Sequence, residues 1–262
     1  MAREFDRTGW LAFPYDPVLA DWARHALPAA REAVKRSEDP RGLRCGGTWF
    51  VGVNALPNDG RGKIGGGPPL AGTAVDFIAD LFPGRTFDLD RGQVSVCYPG
   101  YPQPSDQESA AAFRFRRDRD AAHLDGLLPE GPDRRRHLRE HHAYLLGIPL
   151  TESDPGAAPL VVWEGSHKRV HAAFSGFFKD IAPADWGASD VTEIYHAVRR
   201  QVFEECRRVA IPARPGEAYL VHRLAIHGVA PWAENAGSGP DGRMIVYFRP
   251  EFPDPADWLA DF

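Results

Sequence analysis

Hydrophobic and polar positions follow a helical period near the start of the chain and a strand-like one after about residue 90. Across residues 16–35, Val18, Leu19, Trp22, Ala23, Leu27 and Ala30 recur at helical spacing with polar residues opposite, which predicts a helix. Residues 42–67, from Gly42 onward, are rich in Gly, Pro and Asn. They predict short strand fragments in a long loop, broken off at Gly65-Gly66-Gly67-Pro68-Pro69. A second helix is predicted over 71–82, stopped by Pro83-Gly84. Beyond it the apolar runs become short and are bounded by turn residues. Strands are predicted at 94–98, 113–116, 144–150, 159–163, 218–222 and 244–248. The second of these, Phe113-Arg114-Phe115-Arg116, alternates apolar with basic. Residues 182–208 are mixed and partly helical, with Val202, Phe203 and Cys206 on one face.

Helices first and then many short strands separated by Gly/Pro turns predict an antiparallel sandwich or barrel rather than a wound α/β sheet. No GxGxxG or Walker-type loop, internal repeat or linker interrupts the pattern. One domain over 1–262 is expected, with a helical part over about 1–90 and a strand core over about 90–250. Hydrophobic residues make up 43% of the chain and charged residues 26%, a balance that suits a single buried core. The formal charge of -5 argues against nucleic acid as a partner, while a small anionic ligand stays compatible with it. Cys45, Cys97 and Cys206 lie far apart without a CxxC pair, so neither a zinc ribbon nor a disulfide framework is indicated. The first residues carry charges of both signs and lead into no long apolar run. No signal peptide or membrane span is expected, and the chain is expected to be cytoplasmic.

The chemistry-bearing pattern is His123-Leu124-Asp125 with a distant His227. On an extended segment, residues i and i+2 project to the same side, so one imidazole and one carboxylate can reach one ion. Two imidazoles and a carboxylate on one face of an octahedron form the facial triad of non-haem Fe(II) oxygenases, with positions left open for cosubstrate and dioxygen. An HxD alone is weak in a chain of ten histidines. His222 competes with His227 for the third position. His137, His141 and His142 fall in a run, 134–142, that reads as a solvated basic stretch.

The order of further motifs sharpens the picture. Glu164-Gly165-Ser166-His167 lies between the halves of the triad, Pro215-Gly216-Glu217 precedes the strand at 218–222, and Arg243 follows His227. This series, over about residues 90–250 and more faintly at Gly9-Trp10-Leu11, resembles the phytanoyl-CoA dioxygenase-like family of Fe(II)/2-oxoglutarate oxygenases. Glu164 stands where the family often has Pro, and Glu217 where it has Asp. Residues 234–242 lengthen the path from His227 to Arg243.

The resemblance implies a mainly β, jelly-roll (double-stranded β-helix, cupin-like) barrel with flanking helices. It implies Fe(II) held by His123, Asp125 and His227, and 2-oxoglutarate chelating it through its 2-oxo group and C1 carboxylate. An arginine fork suits the distal carboxylate. Arg243 is the expected residue and Arg249 the alternate, the latter read chiefly as a surface arginine. Gln93 and Tyr144 are expected beside the cosubstrate. Trp163 is a third pocket candidate, and ordinary core is the alternative for such aromatics. Arg114 and Arg116, on one face of their predicted strand, either meet an anionic substrate group or form a solvated edge. The expected reaction is hydroxylation of a small organic molecule by dioxygen, with release of succinate and carbon dioxide. Halogenation is disfavoured because related halogenases lack the carboxylate that Asp125 supplies. The rival readings are a cupin-like metalloenzyme without 2-oxoglutarate, a zinc hydrolase, and a non-catalytic binding protein on the same barrel.

Overall fold

The computed structural model describes residues 1–36, 43–106 and 108–260; Gly42, where the predicted loop begins, lies outside them. In chain order the elements are α1 (Ala2–Thr8), β1 (Trp10–Phe13), α2 (Pro17–Arg36), β2 (Leu43–Arg44), β3 (Trp49–Gly52), α3 (Thr73–Leu81) and β4 (Gln93–Cys97). Then come α4 (Ala110–Asp118), β5 (Leu127–Glu130), β6 (Arg135–Leu138), β7 (Tyr144–Pro149), β8 (Leu160–Trp163), α5 (Ser166–Phe178) and α6 (Thr192–Glu205). Strands β9 (Arg208–Ile211), β10 (Ala218–His222), β11 (His227–Val229) and β12 (Arg243–Phe248) complete the series.

Seven strands form one antiparallel sheet in the order β1-β10-β7-β12-β4-β3-β2, and β11-β8-β9 form a second. A separate hairpin pairs β5 with β6. Between the two sheets lie Leu145, Tyr219, Val221, Ile245 and Tyr247 from the large one and Leu160 and Val162 from the small one. Their outer faces are covered as well. The large sheet presents Tyr144, Leu146, Ile148, Val246 and Phe248 to α2 and α3, whose Leu19, Trp22, Ala23, Phe77 and Ile78 complete that core. The small sheet presents Val161 and Trp163 to Val170 and Phe174 of α5 and to Val198 and Val202 of α6. Two facing antiparallel sheets with helices on both outer faces make a jelly-roll barrel.

Several expectations are corrected. Residues 113–116 lie inside α4, not in a strand. Ser109 Oγ accepts from the Ala112 N–H at the start of this helix, and the alanines that follow favour it. Arg114 and Arg116 therefore share no strand face. Arg116 lies over the Trp49 ring and beside Glu108 instead. The short strand fragments expected within 42–67 appear as β2 and β3, whereas β1 was not expected, and all three join the large sheet. The run 134–142 is not simply solvated either: it contains β6, and His142 is buried against Glu140.

Strands β7 and β10 meet at a glycine. Gly147 pairs with Tyr219, and a Cβ on Gly147 would lie 2.0 Å from the Tyr219 ring. That ring cannot step aside freely, since its hydroxyl donates to the Tyr247 hydroxyl at 3.0 Å in the barrel interior. Gly147→Ala should therefore lower stability by about 2 kcal/mol, the usual scale of overpacking a closed core. Gly176→Ala, with no atom within 4 Å of the added Cβ on α5, should leave the melting temperature unchanged or raise it slightly, since alanine is the better helix former. Equal melting temperatures for the two variants would contradict this account.

Candidate metal centre

The site is assembled by one backbone pairing. The His123 N–H donates to the His227 carbonyl at 2.8 Å, and the His227 N–H donates back to the His123 carbonyl at 3.1 Å. Residues paired in this reciprocal way in an antiparallel ladder stand directly opposite with side chains on one side. The two imidazole rings accordingly lie 4.7 Å apart between centroids. Asp125 follows at i+2, and its carboxylate approaches His123 Nε2 to 3.2 Å and His227 Nε2 to 3.6 Å. One ligand-type atom from each of the three lies within 4.8 Å of the others.

Local chain geometry makes this approach possible. Asp120 and Ala121 both take positive φ, which swings the chain out of α4 and into the extended run that ends at Asp125. Asp120 is held by Arg208 through two contacts of 2.7 and 2.8 Å, and its carbonyl accepts from the Val229 N–H. Gly228 is required where the segments meet, because a Cβ there would lie 2.2 Å from the Asp120 carbonyl oxygen.

Protonation favours metal binding. The Nδ1 atoms of His123 and His227 each lie 3.0 Å from a carbonyl two residues earlier, Ala121 and Ala225 respectively. A carbonyl can only accept, so Nδ1 carries the hydrogen and Nε2 keeps its lone pair for an ion. Burial pushes the His227 imidazole down to about 4 against the pull of Asp125, so it is neutral at physiological pH. Burial alone would raise the Asp125 carboxyl. Arg249, then His227 and His123, outweigh it and hold Asp125 well below the usual carboxylate range. Two imidazoles and one carboxylate are a donor set that could hold a divalent ion with open positions.

The triad opens into a cavity of about 180 Å³. Trp49, Val51, Leu145, Leu160 and Val229 give it apolar walls, and Gln93, Ser95, Tyr247 and Arg249 bring polar groups. His123 marks the open side, with 48% of its side chain exposed. Gln93, expected beside the cosubstrate, lines this cavity and accepts from Arg249 Nη2 at 2.8 Å. Tyr144 does not, since it points to the outer face of the large sheet and packs against Phe82 and Phe87. Trp163 likewise faces outward, onto Phe203. His222 is turned away from the triad, with its ring beside His167 and its Nδ1 accepting from the Leu224 N–H.

The two arginines divide the strand face between them. Arg249 is not a surface residue: it sits in the cavity beside the triad, 3.5 Å from Asp125 Oδ2. Arg243 is 4% exposed, and its Nη1 is buried without a hydrogen-bond partner. It lines an adjoining cavity of about 210 Å³ with Tyr219 and Ile245. The bonded hydroxyls of Tyr219 and Tyr247 stand at the boundary, Tyr247 lining the triad cavity and Tyr219 the other. A signal for Arg249 existed in the sequence, because its even spacing from Arg243 places both on one side of an extended strand.

No family model matches the sequence, and no curated protein sequence matches it. Among solved structures the chain is similar to EvdMO1, at 13% identity and a TM-score of 0.51, covering 96% of this chain and 49% of EvdMO1. It thus spans about half of that protein's length. It is also similar to SnoK, a non-haem α-ketoglutarate-dependent carbocyclase from nogalamycin biosynthesis (15% identity, 94% and 81% covered, TM-score 0.48). A further similar structure is HygX from Streptomyces hygroscopicus, solved with nickel, 2-oxoglutarate and hygromycin B (14% identity, 96% and 85% covered, TM-score 0.46). At these identities the likeness to EvdMO1 is one of fold. No helix among the described residues is long and apolar enough to cross a membrane.

The depressed His227 makes the metal-free protein acid-sensitive. The unfolded chain takes up this proton near pH 6.5, whereas the folded chain resists it until about 4, so stability falls as pH drops through that window. The share of His227 is about 3 kcal/mol across the full interval. His222, also pushed well below its ordinary range by burial, acts in the same direction. Denaturant melts of metal-free protein at pH 7 and 4.5 should therefore differ strongly, and His227→Gln should shrink the difference. An undiminished difference in that variant would contradict the assignment.

Proposed function

We propose that this protein is a non-haem Fe(II)- and 2-oxoglutarate-dependent dioxygenase that hydroxylates a small organic molecule. The observation that carries this reading is the His123–Asp125–His227 cluster, with its donor atoms within 4.8 Å at the mouth of a jelly-roll cavity. The buried, unpartnered Nη1 of Arg243 fits a carboxylate deeper in the same barrel. An unpaired buried guanidinium nitrogen is costly unless a ligand supplies its acceptor.

When bound, iron and 2-oxoglutarate would supply the oxidising chemistry, with dioxygen and the cosubstrate giving succinate, carbon dioxide and one oxygen atom to substrate. The protein's part is positional. His123 and His227 present Nε2, their tautomers fixed by the Ala121 and Ala225 carbonyls. Asp125 would contribute the one negative charge of the donor set. Arg243 would pair with the distal carboxylate, its fork set beside the Tyr219–Tyr247 hydroxyls. Trp49, Val51, Leu145, Leu160 and Val229 exclude water around the reacting centre. We place the protein in the cytoplasm, where its three thiols stay reduced.

One observation favours a second reading. Arg243 opens onto the adjoining cavity and not onto the metal cavity itself, which suits a cupin-like metalloenzyme that does not use 2-oxoglutarate. Succinate formation separates the two. Protein given Fe(II), 2-oxoglutarate and oxygen should release succinate above the protein-free background, and His123→Ala and Asp125→Ala should abolish the release. Metal binding without succinate would select the second reading. Under the first, Arg243→Met should weaken 2-oxoglutarate binding in anaerobic equilibrium dialysis by about 10- to 100-fold, the scale of losing a charge-assisted pair.

A further inference from the structure

Arg249 follows the last residue of β12, where the ladder no longer supplies partners for its peptide groups. Side chains take over that task. The Arg249 N–H donates to Asp90 Oδ1 at 2.9 Å. The Arg249 carbonyl accepts from His142 Nδ1 at 2.8 Å, and His142 Nε2 is held in turn by Glu140 at 3.0 Å. From this fixed backbone the guanidinium reaches into the cavity, Nη2 donating to Gln93 Oε1 at 2.8 Å while Nη1 lies 3.5 Å from Asp125 Oδ2.

We propose that Arg249 is a positioning residue for Asp125: locked by Asp90, His142 and Gln93, its guanidinium holds the Asp125 carboxylate in the rotamer that faces His123 and His227. This rests on the reading of the triad as a divalent-metal site. The Asp125 carboxylate lines an unfilled cavity into which it could turn away from the two imidazoles, so something must fix it before a metal arrives. The guanidinium fork can grip Gln93 and Asp125 together, which a lysine cannot.

Two alternatives predict different results. Were Arg249 mainly a nearby positive charge repelling a cation, removing it would tighten metal binding. Were it an anchor for an anionic substrate, removing it would leave metal binding alone. The second is disfavoured by its surroundings, because both terminal nitrogens are already engaged, Nη2 by Gln93 and Nη1 facing Asp125.

The test is Co(II) binding, read by calorimetry and by the visible absorption of the bound ion, without cosubstrate. Arg249→Met should weaken Co(II) binding by about 10- to 100-fold, the usual cost of removing a ligand's outer partner, and should change the cobalt spectrum. Arg249→Lys should restore little of the loss, and Gln93→Leu should show a smaller loss of the same sign. In an Asp125→Asn background, the further change Arg249→Met should cost almost nothing. Unchanged or tighter Co(II) binding in Arg249→Met, or an equal loss in the Asp125→Asn background, would overturn the proposal. Should Arg249→Met fail to fold, Arg249→Lys and Gln93→Leu decide the same question. A wild-type protein that binds no Co(II) sinks the metal reading and this proposal together. Intact cobalt coupling without succinate release would leave Arg249 in this role and overturn only the 2-oxoglutarate reading.

Discussion

The reciprocal hydrogen bonds between the backbones of His123 and His227 are the constraint on which the rest of the site depends. They place two residues more than a hundred positions apart directly opposite each other, and everything around them serves that approach. The left-handed pair Asp120 and Ala121 brings the chain in, Arg208 pins Asp120, and Gly228 leaves room for the Asp120 carbonyl. Once the pairing is made, Asp125 needs no separate positioning of its backbone, since an extended chain returns to the same side after two residues. Its carboxylate is another matter, and Arg249 is the side chain placed to hold it.

The same alternation organises the barrel interior. Arg243, Ile245, Tyr247 and Arg249 succeed one another on one face of β12 and its extension, while Met244, Val246 and Phe248 face the helices. Two guanidiniums are thereby brought into a mostly apolar space at opposite ends of one strand, which is costly unless each is matched. Near the triad the match is partly internal, through Asp125 and Gln93, with Nε of Arg249 buried without a partner. At the other end Nη1 of Arg243 is likewise buried without one.

Much of this was legible in the chain. The helix over 16–35 appears as Pro17–Arg36, and the strands over 218–222 and 244–248 appear within a residue of their expected bounds. The failures have physical causes. Four residues of alternation at 113–116 fit a strand and a helix equally, and the Ser109 cap with three alanines after it was the deciding local signal. Tyr144 and Trp163 were assigned inward because they lie on strands, yet every residue of β7 and β8 is buried, so burial could not say which face looks into the barrel. Helix α5 begins just after Gly165, which takes a left-handed φ, so Ser166 and His167 of the 164–167 motif are helical.

By itself the sequence determined the pairing of His123 with Asp125, because i and i+2 on extended chain is a local relation that needs no other part of the protein. It also determined the shared side of Arg243 and Arg249, for the same reason. The third partner was beyond it. His222 and His227 stand five residues apart, and only the folding of β10 into the large sheet and β11 into the small one turns the first toward His167 and the second toward His123. Which face of a doubly buried strand looks inward, and which arginine meets Asp125, are likewise settled by long-range packing, since no local spacing encodes how two sheets come together.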